Sequence, residues 1–173
     1  MKTVAIILAR GASKGIPKKN IIDFCGKPLL AWTIEHCLDG GVNSIYVSSD
    51  SDEILEVGEK YGAQSIKRPK DISVDSATSE SGWLHALKII ESESEIVDWV
   101  LAPQVTSPIR TSTDISKAIK IAEKSQFDSI FSVIEVEDFF MWGNEPVEGL
   151  KSLNYDYNKR KRRQQIKKRY LEN

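Results

Sequence analysis

The chain has 173 residues, 40% hydrophobic and 28% charged, which is the size and balance of one globular domain able to bury a core. The apolar opening from Thr3 to Ala9 is far shorter than a membrane span, and Arg10 and Gly11 follow it without a small-residue cleavage pattern, so a cytoplasmic protein without a membrane partner is expected. Cys25 and Cys37 match neither a redox pair nor a zinc-ligand set and read as reduced packing residues. The net charge of −1 conceals an asymmetry: residues 159–169 (KRKRRQQIKKR) hold eight of the 24 basic residues, leaving residues 1–158 with a balance of −8.

Residues 3–9 form a continuous aliphatic and β-branched run, as expected of a parallel strand buried on both faces. Pro28 stands where a helix can begin, and Leu29, Leu30, Ile34, Cys37 and Leu38 carry helical apolar spacing up to Gly40-Gly41. A second strand is expected at Ser44–Ser48. Asp50 or Ser51 is placed to cap the next helix, with Asp52 and Glu53 in its positive first turn and Gly62 beyond its end. A short strand at Gln64–Lys67 follows.

Ser76–Ser79 lead into a helix with an expected apolar face of Trp83, Leu84, Leu87 and Ile90, and Val97–Ala102 reads as another buried strand. Pro103–Arg110 is a loop, Ile115, Ala118, Ile119 and Ala122 mark a helix, and Asp128–Val136 reads as a strand. Strands alternating with helices imply an α/β sandwich with a mostly parallel sheet, whose ligands bind at the carboxyl ends of the strands. Beyond residue 136, Phe139-Phe140-Met141-Trp142 followed by Gly143-Asn144 and Pro146 predicts a hairpin or projecting arm with a covered apolar surface. The expected organisation is an α/β domain over residues 1–136 and an arm with the basic segment over residues 137–173.

The densest chemistry is the segment from Leu8 through Ala9, Arg10, Gly11, Ser13, Lys14 and Gly15 to Lys18, Lys19 and Asn20, at the carboxyl end of the first strand. Gly11 and Gly15 allow tight turns that aim backbone N–H groups at an anion, and the cationic side chains can neutralise phosphate. The segment lacks both GxGxxG and the Gly-Lys-hydroxyl ending of a P-loop. Its chemistry fits either a phosphate cradle or a structural loop with solvated lysines.

L-A-R-G-x-S-K-G-I-P-x-K-N resembles the signature of the acylneuraminate and related nonulosonic acid cytidylyltransferases. Gly26-Lys27-Pro28-Leu29, Arg68-Pro69, Asp75-Ser76-Ala77-Thr78-Ser79 and Thr106-Ser107-Pro108-Ile109-Arg110 are similar to that family in the same order, so the resemblance covers residues 3 to about 134. It implies a Rossmann-like three-layer α/β/α sandwich of the nucleotide-diphospho-sugar transferase type and transfer of CMP from CTP to a 2-keto sugar acid.

By position, the resemblance assigns Arg10 and Lys19 to the triphosphate and the leaving group, with Leu8, Ala9, Gly11, Ser13, Lys14, Gly15 and Asn20 around the nucleotide. Arg68, Ala77 and Ser79 would hold cytosine; Gln104, Thr106 and Ser107 would face the acceptor sugar. Arg163 resembles an arginine supplied across a homodimer. Mg2+ is implied as cofactor, with its aspartates expected beyond Asn173, in elements the chain is read as lacking. Two departures bear on the acceptor: Pro103 precedes Gln104 where the family's proline follows the glutamine, and Leu171 stands where many members have arginine.

His36, His85, Trp83, Trp99 and Trp142 read as packing or surface residues. Two other classes compete. A nucleic-acid binder would use the basic arm, against which the acidic remainder argues, so no nucleic acid is expected as partner. A homologue without activity would bind CTP or serve assembly. A third reading keeps the fold and changes the sugar, to a 3-deoxy-octulosonic acid for instance, or the nucleotide.

Overall fold

A computed structural model describes residues 1–13, 15–93, 96–136, 141–145, 149–159, 165 and 169–172. They divide into two compact units, Met1–Gln126 and Phe127–Asn173.

The first unit is built on four parallel strands: β1 (Thr3–Leu8), β4 (Ser44–Ser49), β5 (Gln64–Lys67) and β6 (Trp99–Leu101), in the order β5-β4-β1-β6. Between β1 and β4 lie a minimal hairpin, β2 (Asp23–Phe24) with β3 (Lys27–Pro28), and helix α1 (Leu29–Asp39). Helix α2 (Asp52–Lys60) joins β4 to β5, α3 (Ser79–Ser92) leads to β6, and α4 (Ser112–Lys124) follows β6.

The side-chain period of two along the central strands explains the layers. Ala5 and Ile7 of β1 and Ile45 and Val47 of β4 enter one core with Leu30 and Ile34 of α1, Ile54 of α2 and Ile115 of α4. The alternate residues Val4, Ile6 and Tyr46 enter a second core with Ile66, Ala86 and Ile90. Both sheet faces are therefore covered, which suits the aliphatic run of β1, while β4 keeps Ile45 and Val47 on one face and buries Ser48 and Ser49 at its carboxyl end. This is the expected three-layer α/β/α arrangement.

Several local expectations hold and some shift. Pro28 directly precedes α1, and Gln64–Lys67 is a strand as read. Of the apolar face expected for α3, Ile90 is buried and Trp83 and Leu87 pack against the second core, whereas Leu84 is exposed and Gly82 and Ala86 are buried in addition. That helix is capped by Thr78, whose hydroxyl accepts from the Ser81 N–H; α4 begins with a capping box between Thr111 and Asp114. Asp50 does not cap α2. Ser51 holds the N-cap position without a side-chain cap bond, while the Asp50 carboxylate accepts the Gly11 N–H at 2.9 Å.

In the second unit, the strand expected over Asp128–Val136 is confined to β7 (Val133–Val136), which pairs antiparallel with β10 (Arg169–Glu172), Leu171 opposite Ile134, rather than joining the four-stranded sheet. The sequence from Asp128 to Ile134 alternates too little to distinguish a buried central strand from a solvent-exposed ribbon. The expected hairpin is present as β8 (Trp142–Glu145) and β9 (Gly149–Ser152). Trp142 meets Tyr155 edge-on at 5.8 Å and lies 5.9 Å from Tyr157. Phe139, Phe140 and Pro146 lie outside the described residues.

Candidate functional site

The loops after β1, β5 and β6 open onto one cleft of about 490 Å³ in the first unit. A parallel sheet directs these loops to the same end, which is why segments far apart in sequence converge there.

The loop after β1 forms one wall and is pinned from both sides. Ala9 is fully buried and extends the strand pairing by donating its N–H to Ser48 O at 3.1 Å. Asn20, buried in a single 3-10 turn (Lys19–Ile21), donates its Nδ2 hydrogen to Arg10 O at 2.9 Å, closing the loop on itself. Gly11 is held by Asp50, and a Cβ on it would lie 3.0 Å from Ser51 Cβ, so the glycine permits this close approach. Lys18 adopts a left-handed conformation (φ 52°) and pairs with Glu53 at 2.8 Å on α2, which directs it away from the cleft lining.

The opposite wall comes from the segment between β5 and α3. Arg68 continues the β4–β5 pairing by donating its N–H to Ser49 O at 2.8 Å, and its side chain is almost wholly buried. Its Nε donates to Ser73 Oγ at 2.9 Å, and Ser73 in turn donates to Pro69 O at 2.8 Å. Burial lowers the Arg68 pKa, the Asp50 charge opposes this and the Arg10 charge adds to it. Gly82 makes room for that guanidinium: a Cβ there would stand 3.1 Å from Arg68 Nη1 and from both Leu8 methyl carbons.

The third wall is the loop after β6. The proline transposition leaves a closed turn, Ser107 N–H donating to Gln104 O at 3.3 Å. Pro103 and Val105 are buried, and Gln104 and Thr106 line the cleft. Arg110, at the end of the same loop, points elsewhere: its Nη2 donates to Thr33 Oγ1 of α1 at 3.2 Å.

The structure thus brings Leu8, Arg10, Ser13, Gly15, Lys19, Asn20, Arg68, Ala77, Ser79, Gln104 and Thr106 to one cleft. Ala9, Gly11 and Ser107 support its walls through backbone bonds and do not line it. Lys14 and Arg163 lie outside the described residues. Sequence reasoning passed over Ile72, Ser73 and Val74, which also line the cleft; the only signal was their position between two chemically recognisable segments. Trp83, read as a packing residue, both lines the cleft and packs against the second core.

Arg10, Lys19 and Arg68 make the cleft cationic, with polar groups on all three walls, as a polyphosphate with an attached base requires. The cytidylyltransferase family model matches residues 4–173. The chain belongs to the cytidylyltransferase family. Among its curated relatives, it is 41% identical over 139 residues to the pseudaminic acid cytidylyltransferase of Campylobacter jejuni strain 81-176, covering 79% of this chain and 60% of that protein. It is 38% identical over 136 residues to N-acylneuraminate cytidylyltransferase A of Danio rerio, covering 78% of this chain and 31% of the relative. The chain therefore spans between about a third and three fifths of the length of these two relatives.

Solved structures confirm the fold of this cytidylyltransferase-family chain. A CMP:2-keto-3-deoxy-manno-octonic acid synthetase complexed with CTP superposes with a TM-score of 0.59 at 22% identity, over 77% of this chain and 51% of that one. A 4-diphosphocytidyl-2C-methyl-D-erythritol synthase superposes with a TM-score of 0.69 at 12% identity, over 99% of this chain and 72% of the other. Among the described residues, no group of three or more His, Cys, Asp or Glu side chains is arranged to hold a metal ion, and no helix is long and apolar enough to cross a membrane.

Proposed function

We propose that this chain supplies the nucleotide site of a cytidylyltransferase that transfers CMP from CTP to the anomeric hydroxyl of a sialic-acid-like nonulosonic acid. The hydroxyl oxygen attacks the α-phosphorus, the bond from that phosphorus to the bridging oxygen of the β-phosphate breaks, and pyrophosphate leaves; the hydroxyl proton passes to a base. The observation that carries the reading is the convergence of Arg10, Lys19, Asn20 and Arg68 with Ala77, Ser79 and Gln104 on one cleft in a chain of this family.

Arg10 and Lys19 offset the charge that builds on the leaving pyrophosphate, the main contribution a protein makes to such a transfer. Arg68, held by Ser73, presents a fixed donor to the base carbonyl, with Ala77 and the Ser79 hydroxyl beside the ring. Gln104 and Thr106 face the acceptor. Mg2+ accompanies the nucleotide in this proposal; no ligand is assigned to it and no step is routed through the ion. A homodimer in the cytoplasm, with CTP and the sugar acid as partners and no nucleic acid, completes the reading.

The test is calorimetry with CTP, with and without Mg2+, against GTP and RNA controls, followed by pyrophosphate release with pseudaminic and N-acetylneuraminic acids. Selective CTP binding that Arg10→Ala and Lys19→Ala each weaken at least tenfold is expected. CTP binding without turnover would assign the chain to a binding or assembly role. A folded chain that ignores CTP would sink the proposal.

A further inference from the structure

One cation that lines the cleft is paired with an anion beside it. Arg10 Nη1 donates to Asp75 Oδ1 at 2.5 Å, with side chains 39% and 46% exposed. Asp75 lies on the segment whose Val74, Ala77 and Ser79 line the cleft, and that segment also holds Arg68 through Ser73. The Arg10 main chain is fixed independently, its carbonyl by Asn20 and the following N–H by Asp50. The guanidinium can therefore change partner while the loop beneath it stays in place.

A carboxylate at this distance occupies an edge of the guanidinium that a phosphate would also use, and two anions on one edge repel. We propose that Asp75 is a positioning residue that serves as the resident counter-anion of Arg10 and is displaced by the phosphate chain of an incoming nucleotide. The proposal rests on reading the cleft as a nucleotide site. While the cleft is empty, Asp75 keeps the guanidinium aimed and offsets its charge; on binding, it yields its place. The exchange costs the same for every anion that takes Arg10, so the ranking of anions is unchanged. Weak ligands such as inorganic phosphate fall below useful occupancy, whereas a triphosphate that also reaches Lys19 still binds.

The test compares CTP and inorganic tripolyphosphate binding by calorimetry to the full chain and to Asp75→Asn, Asp75→Glu and Asp71→Asn. Asp75→Asn should tighten both ligands by about two- to fivefold, the scale of one solvent-exposed ion pair, and steepen the salt dependence. Asp75→Glu should restore affinity to near the wild-type value, and Asp71→Asn, which removes the same charge from the same segment, should change little. Unchanged or weaker binding in Asp75→Asn, or an equal gain in Asp71→Asn, overturns the exchange. A tripolyphosphate gain in a chain that never binds CTP would retain the exchange and sink the nucleotide reading. CTP binding without the gain would do the reverse, and a chain that binds neither probe in any variant sinks both.

Discussion

Arg68 and Ser73 form a relay in the cleft wall: the guanidinium Nε donates to the serine hydroxyl, which donates onward to Pro69 O. The hydroxyl can do both because it is donor and acceptor at once. Ser73→Ala leaves an Nε–H of a buried cation without its acceptor, at a cost of about 1–3 kcal/mol. Urea denaturation should show that loss, and calorimetry should show CTP affinity falling about tenfold as Arg68 loses its fixed aim.

Gly82 offers a test that separates stability from binding. Alanine in a helix is favoured over glycine by about 1 kcal/mol, yet its Cβ would crowd Arg68 Nη1 and the Leu8 methyls at 3.1 Å. Gly82→Ala should leave the melting temperature within a few degrees of wild type while weakening CTP binding severalfold, because the side chain that yields is the one lining the cleft. Equal affinity in the variant would show that Arg68 tolerates displacement.

His36 makes stability depend on pH. Burial, then the Arg110 and Lys27 charges, lower its pKa from 6.5, and its Nδ1 is buried without a hydrogen-bond partner. The folded state therefore binds fewer protons than the unfolded state between the two values, so stability rises with pH there. The stabilisation is fully present above 6.5 and is lost as pH falls through the lower folded-state value. Urea midpoints taken between pH 7.5 and 5 should decline in the wild type and decline less in His36→Gln.

The two cysteines should differ in reactivity. Cys25 is exposed, whereas burial pushes the Cys37 thiol up to about 12. A thiol reagent at pH 8 should label one group per native chain and two after denaturation, and Cys25→Ser should remove the native label. Rapid labelling of two groups in the native state would mean that α1 opens readily.

The amino-acid sequence by itself determined the layered part of this protein. The continuous apolar run at Thr3–Leu8 requires burial on both faces, and the helical spacing of α1 and α4 supplies the covering layers. Its glycine and cation pattern from Arg10 to Asn20 marked one wall of the cleft by local chemistry, whereas Arg68, Ser79 and Gln104 were assigned only through the family resemblance.

Tertiary structure decided the partners. Asp50 looks like a helix cap from its neighbours, but spends its carboxylate on Gly11, 39 residues away. Arg10 and Asp75 are 65 residues apart and meet only because parallel strands deliver both loops to one end of the sheet. The pairing of Val133–Val136 with Arg169–Glu172 was equally invisible. Short-range periodicity reports which face of an element is apolar; which polar group it meets depends on crossover connections that no local window contains.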